Sequence, residues 1–157
     1  MFYFAYGSNM DEADLDDWCR GKNKEIIQFH DVNPARLSDY RLTFNYYSTS
    51  RRGGAANIMP SKGSYVYGLL IKINANDLCT IRSKEGCPNK YSEINIEVEL
   101  LDGTRVKNVK SYKVVKSMEK KGHQKPTRKY LNLIIKNAKK YNFPLEYISF
   151  LESFESV

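Results

Sequence analysis

From Tyr91 to Leu100 the chain alternates: Tyr91, Glu93, Asn95, Glu97 and Glu99 on one side, Ile94, Ile96, Val98 and Leu100 on the other. A period of two held this long is a strand with one face toward a core. Asp102-Gly103 follows, a strong hairpin turn, and Val106 to Val115 is predicted to return as the partner strand. At least one antiparallel pair is thereby fixed, and the rest of the chain has to be arranged around it.

Phe2 to Tyr6 reads as a short apolar strand broken by Gly7-Ser8-Asn9. Asp11 to Arg20 reads as a helix with an acidic first turn, suited to the positive end of its dipole, and with Gly21 just past its end. Further strands are predicted at Glu25–His30, at Tyr40–Tyr47 (Leu42, Phe44 and Tyr46 sharing a face), at Ala55–Met59 and at Ser64–Ile73. Ser48 to Gly54 reads as a polar loop. Asn74 and Asp77 are helix-entry signals, and Asp77 to Lys84 fits two turns. Gly86 stands where a C-terminal cap belongs, which makes Glu85 the last side chain of that helix. Lys116 to Lys125 reads as a basic linker. Thr127 caps a helix to Tyr141 with a stripe of Tyr130, Leu131, Ile134, Ile135 and Ala138. Pro144 opens a last helix carrying Leu145, Ile148 and Leu151.

Strands with long connections occupy the middle, and helices are interspersed and terminal. This pattern predicts an α+β fold rather than a βαβ parallel sheet. Five or six strands in a chain of 157 residues suit a small mixed, partly closed β-barrel flanked by helices. No internal repeat and no linker divides the chain, so residues 1–157 are expected to form a single domain.

Composition narrows the partners. The mean hydropathy is −0.57 and the longest mostly apolar run, Tyr65 to Ile71, is too short to span a bilayer. Met1 to Tyr6 carries no basic n-region or cleavage site, so no signal peptide is expected and the cytoplasm is the default. Three cysteines, Cys19, Cys79 and Cys87, without C-x-x-C spacing, give neither a disulfide framework nor a zinc motif. His30 and His123 are far from each other and from any cysteine, so no metal is expected. The net charge of +7 is uneven: residues 105–140 hold thirteen Lys/Arg and one acid, Glu119. Such a block can attract nucleic acid or an acidic ligand, or be a solvated face. Nucleic acid is disfavoured because no helix-turn-helix, zinc finger or aromatic RNP motif surrounds it.

Four features could carry chemistry. The Tyr6-Gly7-Ser8-Asn9 turn lies between a strand and a helix start. Its glycine permits positive φ and close backbone approach, and its successive N–H groups can form an anion-binding nest. It is neither a Walker loop nor a nucleophile elbow. Glu85, at the negative end of a helix dipole, is opposed in its ionisation, and aromatic walls would raise its pKa further. Twelve tyrosines are many for this length, and Tyr3, Tyr6, Tyr91, Tyr112 and Tyr130 lie near these elements. Arg51-Arg52 can clamp a carboxylate bidentately, or simply be solvated.

These pieces occur in a familiar order. Tyr3-Phe4-Ala5-Tyr6-Gly7-Ser8-Asn9-Met10 closely resembles the amino-terminal signature of the gamma-glutamylcyclotransferase family. Gly53-Gly54-Ala55-Ala56-Asn57-Ile58 resembles its Gly-rich stretch. Tyr67-Gly68-Leu69-Leu70 through Leu78 to Glu85-Gly86 resembles the segment that supplies its glutamate, and Tyr130 to Tyr147 resembles its carboxyl-terminal helix pair. The resemblance implies a cofactor-independent enzyme that converts gamma-glutamyl amino acids or peptides to 5-oxoproline. It makes Glu85 the acid/base, residues Tyr3, Phe4, Ala5, Tyr6, Gly7, Ser8 and Asn9 the substrate-holding loop, and Tyr130 a substrate contact. The implied partner is a small gamma-glutamyl molecule; monomer and homodimer both stay open. The alternative is a non-catalytic binder of an acidic ligand or nucleic acid through the Gly7-Ser8 turn and the 105–140 block. Three departures stand out. Arg82 and Lys84 occupy a turn that is usually acidic and would lower the pKa of Glu85 unless they point away. Phe143 replaces leucine. Asn137 replaces a small residue and is expected to loosen the helix packing.

Overall fold

The computed structural model describes residues 1–157. Its strands are β1 (Phe2–Ala5), β2 (Val32–Ser48), β3 (Gly53–Lys72), β4 (Tyr91–Leu100) and β5 (Arg105–Val114). They bond in the order β1-β3-β2-β4-β5 and close into a barrel. Every neighbouring pair is antiparallel except β1 with β5, which is parallel. The expected α+β barrel is therefore present, and its closure is complete, which leaves no unpaired sheet edge. Four helices flank it: α1 (Glu12–Gly21), α2 (Ala75–Glu85), α3 (Arg128–Lys140) and α4 (Leu145–Glu152).

The alternating segment forms β4 as read, with β5 beside it from Tyr91↔Val114 to Glu99↔Arg105. Two other readings need correction. Glu25–His30 is irregular, not a strand; Ile27 alone plugs into the core, and with the barrel closed no edge is free to pair with it. Ala55–Met59 and Ser64–Ile73 are one strand, β3, paired along nearly all of β2. The polar residues between them leave the ladder where the register shifts near Asp39. There the Asp39 carboxylate accepts the Gly63 N–H at 2.9 Å. Of Leu145, Ile148 and Leu151 on the last helix, Leu145 is 82% exposed, while Ile148 and Leu151 are buried.

Helix ends follow local chemistry. Asn74 caps α2 in a reciprocal box with Asp77. Gly86, at φ 65°, closes its other end, and the Cys87 N–H reaches back to the Arg82 carbonyl at 3.1 Å. Asp11 caps α1 by accepting the Asp14 N–H at 2.9 Å. Its second oxygen takes the Asn137 amide at 2.9 Å and lies 2.7 Å from Lys136 Nζ, both on α3. Asn137 is thus a tie between helices, contrary to the expected loosening. Burial alone would raise the Asp11 pKa, but the bonds from Lys136, Asn137 and the Asp14 N–H outweigh it and hold the carboxyl below its ordinary value. Asn137→Ala removes a bond to a buried carboxylate and is expected to cost about 2 kcal/mol in chemical denaturation.

The double glycine is demanded by space. The Gly54 N–H donates to the Lys125 carbonyl at 2.9 Å, and a Cβ on Gly54 would lie 1.8 Å from the Gln124 carbonyl oxygen. Residues 124–127 therefore lie directly on the start of β3, and Thr127 then caps α3 by accepting the Tyr130 N–H.

Candidate active site

A cavity of about 410 Å³ opens between the turn after β1, the end of α2, the tip of the β2–β3 hairpin and the first turn of α3. Glu85 enters it from the last position of α2. The residue keeps partial access to water through the cavity, while its carboxyl is surrounded by protein. Its Oε1 accepts the Asn9 amide N–H at 2.8 Å, and the same nitrogen donates to the Tyr3 hydroxyl at 2.9 Å. Asn9 is buried, and its Oδ1 accepts from Lys84 Nζ. Burial pushes the Glu85 pKa up from 4.5 to about 7; the Lys84 charge, the Asn9 bond and the Arg51 charge pull against it without cancelling it.

Tyr3, Tyr6, Tyr91, Tyr112 and Tyr130 all reach this wall, and Tyr46 joins them. Three of the six hydroxyls are anchored to backbone. Tyr6 donates to the Tyr112 carbonyl at 2.6 Å and Tyr91 to the Ala56 carbonyl at 2.8 Å, while Tyr130 accepts the Ala56 N–H at 3.0 Å. Burial, with Glu85 adding to it, holds Tyr3 and Tyr6 well above the ordinary tyrosine pKa, so both stay neutral. Tyr3 and Tyr112 bond the side chains of Asn9 and Glu93, so apart from Tyr46 the tyrosine tips on this wall are already hydrogen-bonded.

The amino-terminal signature divides. Tyr3, Tyr6, Gly7, Ser8 and Asn9 line the cavity; Phe4 and Ala5 do not. Phe4 is fully buried with its ring against Gly68, and its carbonyl accepts the Ser111 hydroxyl at 2.8 Å. Ala5 pairs with Leu69. These two hold β1 in the barrel. Gly7 has φ −118°, so the expected positive φ is not used. What glycine supplies is room: a Cβ would lie 3.3 Å from that of Ala56.

Of the two basic residues before Glu85, Arg82 points away, 3.7 Å from Glu93, and Lys84 turns inward with 8% of its side chain exposed. Arg51 clamps a carboxylate bidentately as its chemistry allows, and the carboxylate is internal: Asp14, at 2.8 and 2.6 Å. Its guanidinium also lies 5.2 Å from the centre of the Tyr130 ring. Arg52 stays out in the turn. Asp14 gave no individual signal, since an acid in the first turn of a helix has a sufficient reason in the dipole. Tyr46 was legible only as a strand residue.

None of the lysines and arginines of residues 105–140 lines the cavity. Several are paired elsewhere, Lys113 with Glu119 at 3.1 Å and Lys125 with Glu155 at 3.3 Å. The turn and the basic block are thus separate surfaces. No three His, Cys, Asp or Glu side chains converge on a point, and no helix is long and apolar enough to cross a membrane.

A closed five-stranded barrel with a carboxyl in a tyrosine-lined cavity defines the class. The model of the AIG2-like family matches residues 65–151. Gamma-glutamylcyclotransferase of Bos taurus is 32% identical over 160 residues, covering 99% of this chain and 79% of that protein. That of Homo sapiens is 30% identical with the same coverage. A solved structure described as gamma-glutamyl cyclotransferase superposes with a TM-score of 0.83 at 27% identity, over 99% of this chain and 88% of the other. The chain belongs to the gamma-glutamylcyclotransferase family of enzymes.

Proposed function

We propose that this enzyme takes a small gamma-glutamyl amino acid or peptide and releases 5-oxoproline and the free amine, with Glu85 as acid and base. The observation that carries the reading is the Glu85 carboxyl, held by the Asn9 amide and reachable from a cavity of about 410 Å³, where burial pushes its pKa up to about 7. A group poised there can accept a proton in one step and return it in the next. The names of the relatives support the same substrate class.

The substrate's α-ammonium gives a proton to Glu85, and the freed amine attacks its own γ-carbonyl. A five-membered ring closes through a tetrahedral intermediate. The C–N bond to the leaving group then breaks as Glu85 returns its proton to the departing nitrogen, and the ring nitrogen loses its remaining extra proton to water, which leaves a lactam N–H and a free amine. No bond to the enzyme is formed. Holding the chain curled converts flexibility into rate, worth up to about 7–11 kcal/mol in favourable cases. The tyrosine wall does the curling. N–H groups of residues 6–9 hold the substrate carboxylate or the developing oxyanion in this reading. Tyr130 contacts the substrate from the first turn of α3. Residues 1–157 act as one catalytic domain, because β1, α1, α2, α3 and the β2–β3 tip all contribute walls.

The test is incubation with a panel of gamma-glutamyl amino acids, glutathione and gamma-glutamyl-ε-lysine, with mass detection of 5-oxoproline. Release from at least one member is expected; none from any would reject the reading. The base must be ionised, so kcat/KM is expected to fall as pH drops through about 7, where Glu85 takes up its proton.

A further inference from the structure

We propose that Lys84 is a positioning residue for Glu85: its buried ammonium binds the Asn9 amide oxygen, turns the Asn9 NH2 toward the carboxyl and sets a positive charge beside it. The catalytic consequence rests on the cyclotransferase reading; the electrostatic one does not.

A lysine at the end of a helix ordinarily reaches water. Lys84 instead has 8% of its side chain exposed. The simple explanation is a counter-ion for Asp14, and the distances argue against it. Asp14 is already satisfied by Arg51 on both oxygens, at 2.8 and 2.6 Å, whereas Lys84 is 3.5 Å away. Lys84 Nζ instead donates to Asn9 Oδ1. An amide has one acceptor side and one donor side. Pinning the oxygen on an ammonium therefore commits the nitrogen to Glu85 and Tyr3. A chain of contacts results, Arg51 to Asp14 to Lys84 to Asn9 to Glu85, linking the β2–β3 tip, α1 and α2 to one carboxyl.

The other groups facing Glu85 leave the charge balance simple. Tyr3, Tyr6, Tyr46, Tyr91 and Tyr130 surround it, and burial raises each, so they remain uncharged where it titrates. Arg51 adds a second cation already neutralised by Asp14, and Asp17 and Lys90 on the cavity wall are exposed. Burial lowers the Lys84 pKa, with the charges of Asp14 and Glu85 opposing that. Lys84 is then the cation that most directly favours the ionised form of Glu85.

Two variants separate charge from geometry. Lys84→Gln keeps an N–H donor for Asn9 and removes the charge; Lys84→Met removes both. The Glu85 carboxyl carbon, assigned by its loss in Glu85→Gln, is titrated by 13C NMR in the full chain. Both Lys84 variants are expected to move its midpoint upward by about one to three pH units, Lys84→Met further than Lys84→Gln because it also frees the Asn9 amide, and the acid limb of kcat/KM by the same amounts. A midpoint unchanged from wild type would overturn the proposal, since a merely structural lysine would lower activity without moving it. If the variants do not fold, the wild-type 15Nζ resonance of Lys84 decides: it should shift across the Glu85 titration, and a flat response overturns the proposal. Absence of 5-oxoproline would sink the functional reading alone, because neither NMR titration depends on turnover.

Discussion

Glu85→Gln is expected to retain the fold and to bind substrate while losing about 10²–10⁴-fold in kcat. The glutamine carbonyl can still accept the Asn9 N–H, so the wall keeps its shape; what disappears is a group able to take and return a proton. Initial rates of 5-oxoproline release, with binding measured by calorimetry, check this. A kcat near that of wild type would remove Glu85 from the reaction. A second readout has a definite sign. The folded-state pKa of Glu85 is raised, from 4.5 to about 7, so the folded protein binds this proton more tightly than the unfolded chain does. Its favourable contribution is complete below pH 4.5 and is lost as pH rises through 7. The glutamine variant should therefore melt above wild type at pH 8, with the gap closing toward pH 4. Thermal melts at the two pH values test it.

Gly54→Ala should be the most damaging of the small substitutions outside the reacting groups. Its new methyl would sit 1.8 Å from the Gln124 carbonyl oxygen, a backbone atom with no rotamer to yield. Relief requires moving residues 124–127 off β3. That breaks the Gly54–Lys125 bond and displaces the Thr127 cap, and with it Tyr130 at the cavity wall. A loss of about 3 kcal/mol, the upper end of ordinary overpacking, is expected in denaturation, together with reduced activity. Gly21→Ala meets no neighbouring atom and is the control; equal stability of the two variants would refute the steric account.

These effects also show which parts of the molecule could be read in advance. β4 and the end of α2 were legible because each is specified locally: a period of two for the strand, and an asparagine cap and left-handed glycine for the helix. The full length of β3 was not, because Pro60 to Ser64 look like a boundary and only pairing with β2 carries the strand past them. Glu25–His30 failed for the converse reason, since local β character forms no strand without a free edge. In the site, Glu85 and the Tyr6–Asn9 turn were visible through their position at element ends. Asp14 and Tyr46 were not, because they acquire neighbours only when the β2–β3 tip folds over α1. Lys84 was visible, but the direction of its side chain was set by Asn9, far away in sequence.

The closing strand of the barrel is also the strand that leads into the reactive turn. Phe2–Ala5 finds its partners at Leu69–Lys72 and at Val109–Lys110, so it cannot seat until both distant segments are in place. Contacts of such wide sequence separation form slowly. Turnover should accordingly be the last property recovered on refolding, behind the bulk of the β signal, which makes the enzyme a reporter of its own final closure step.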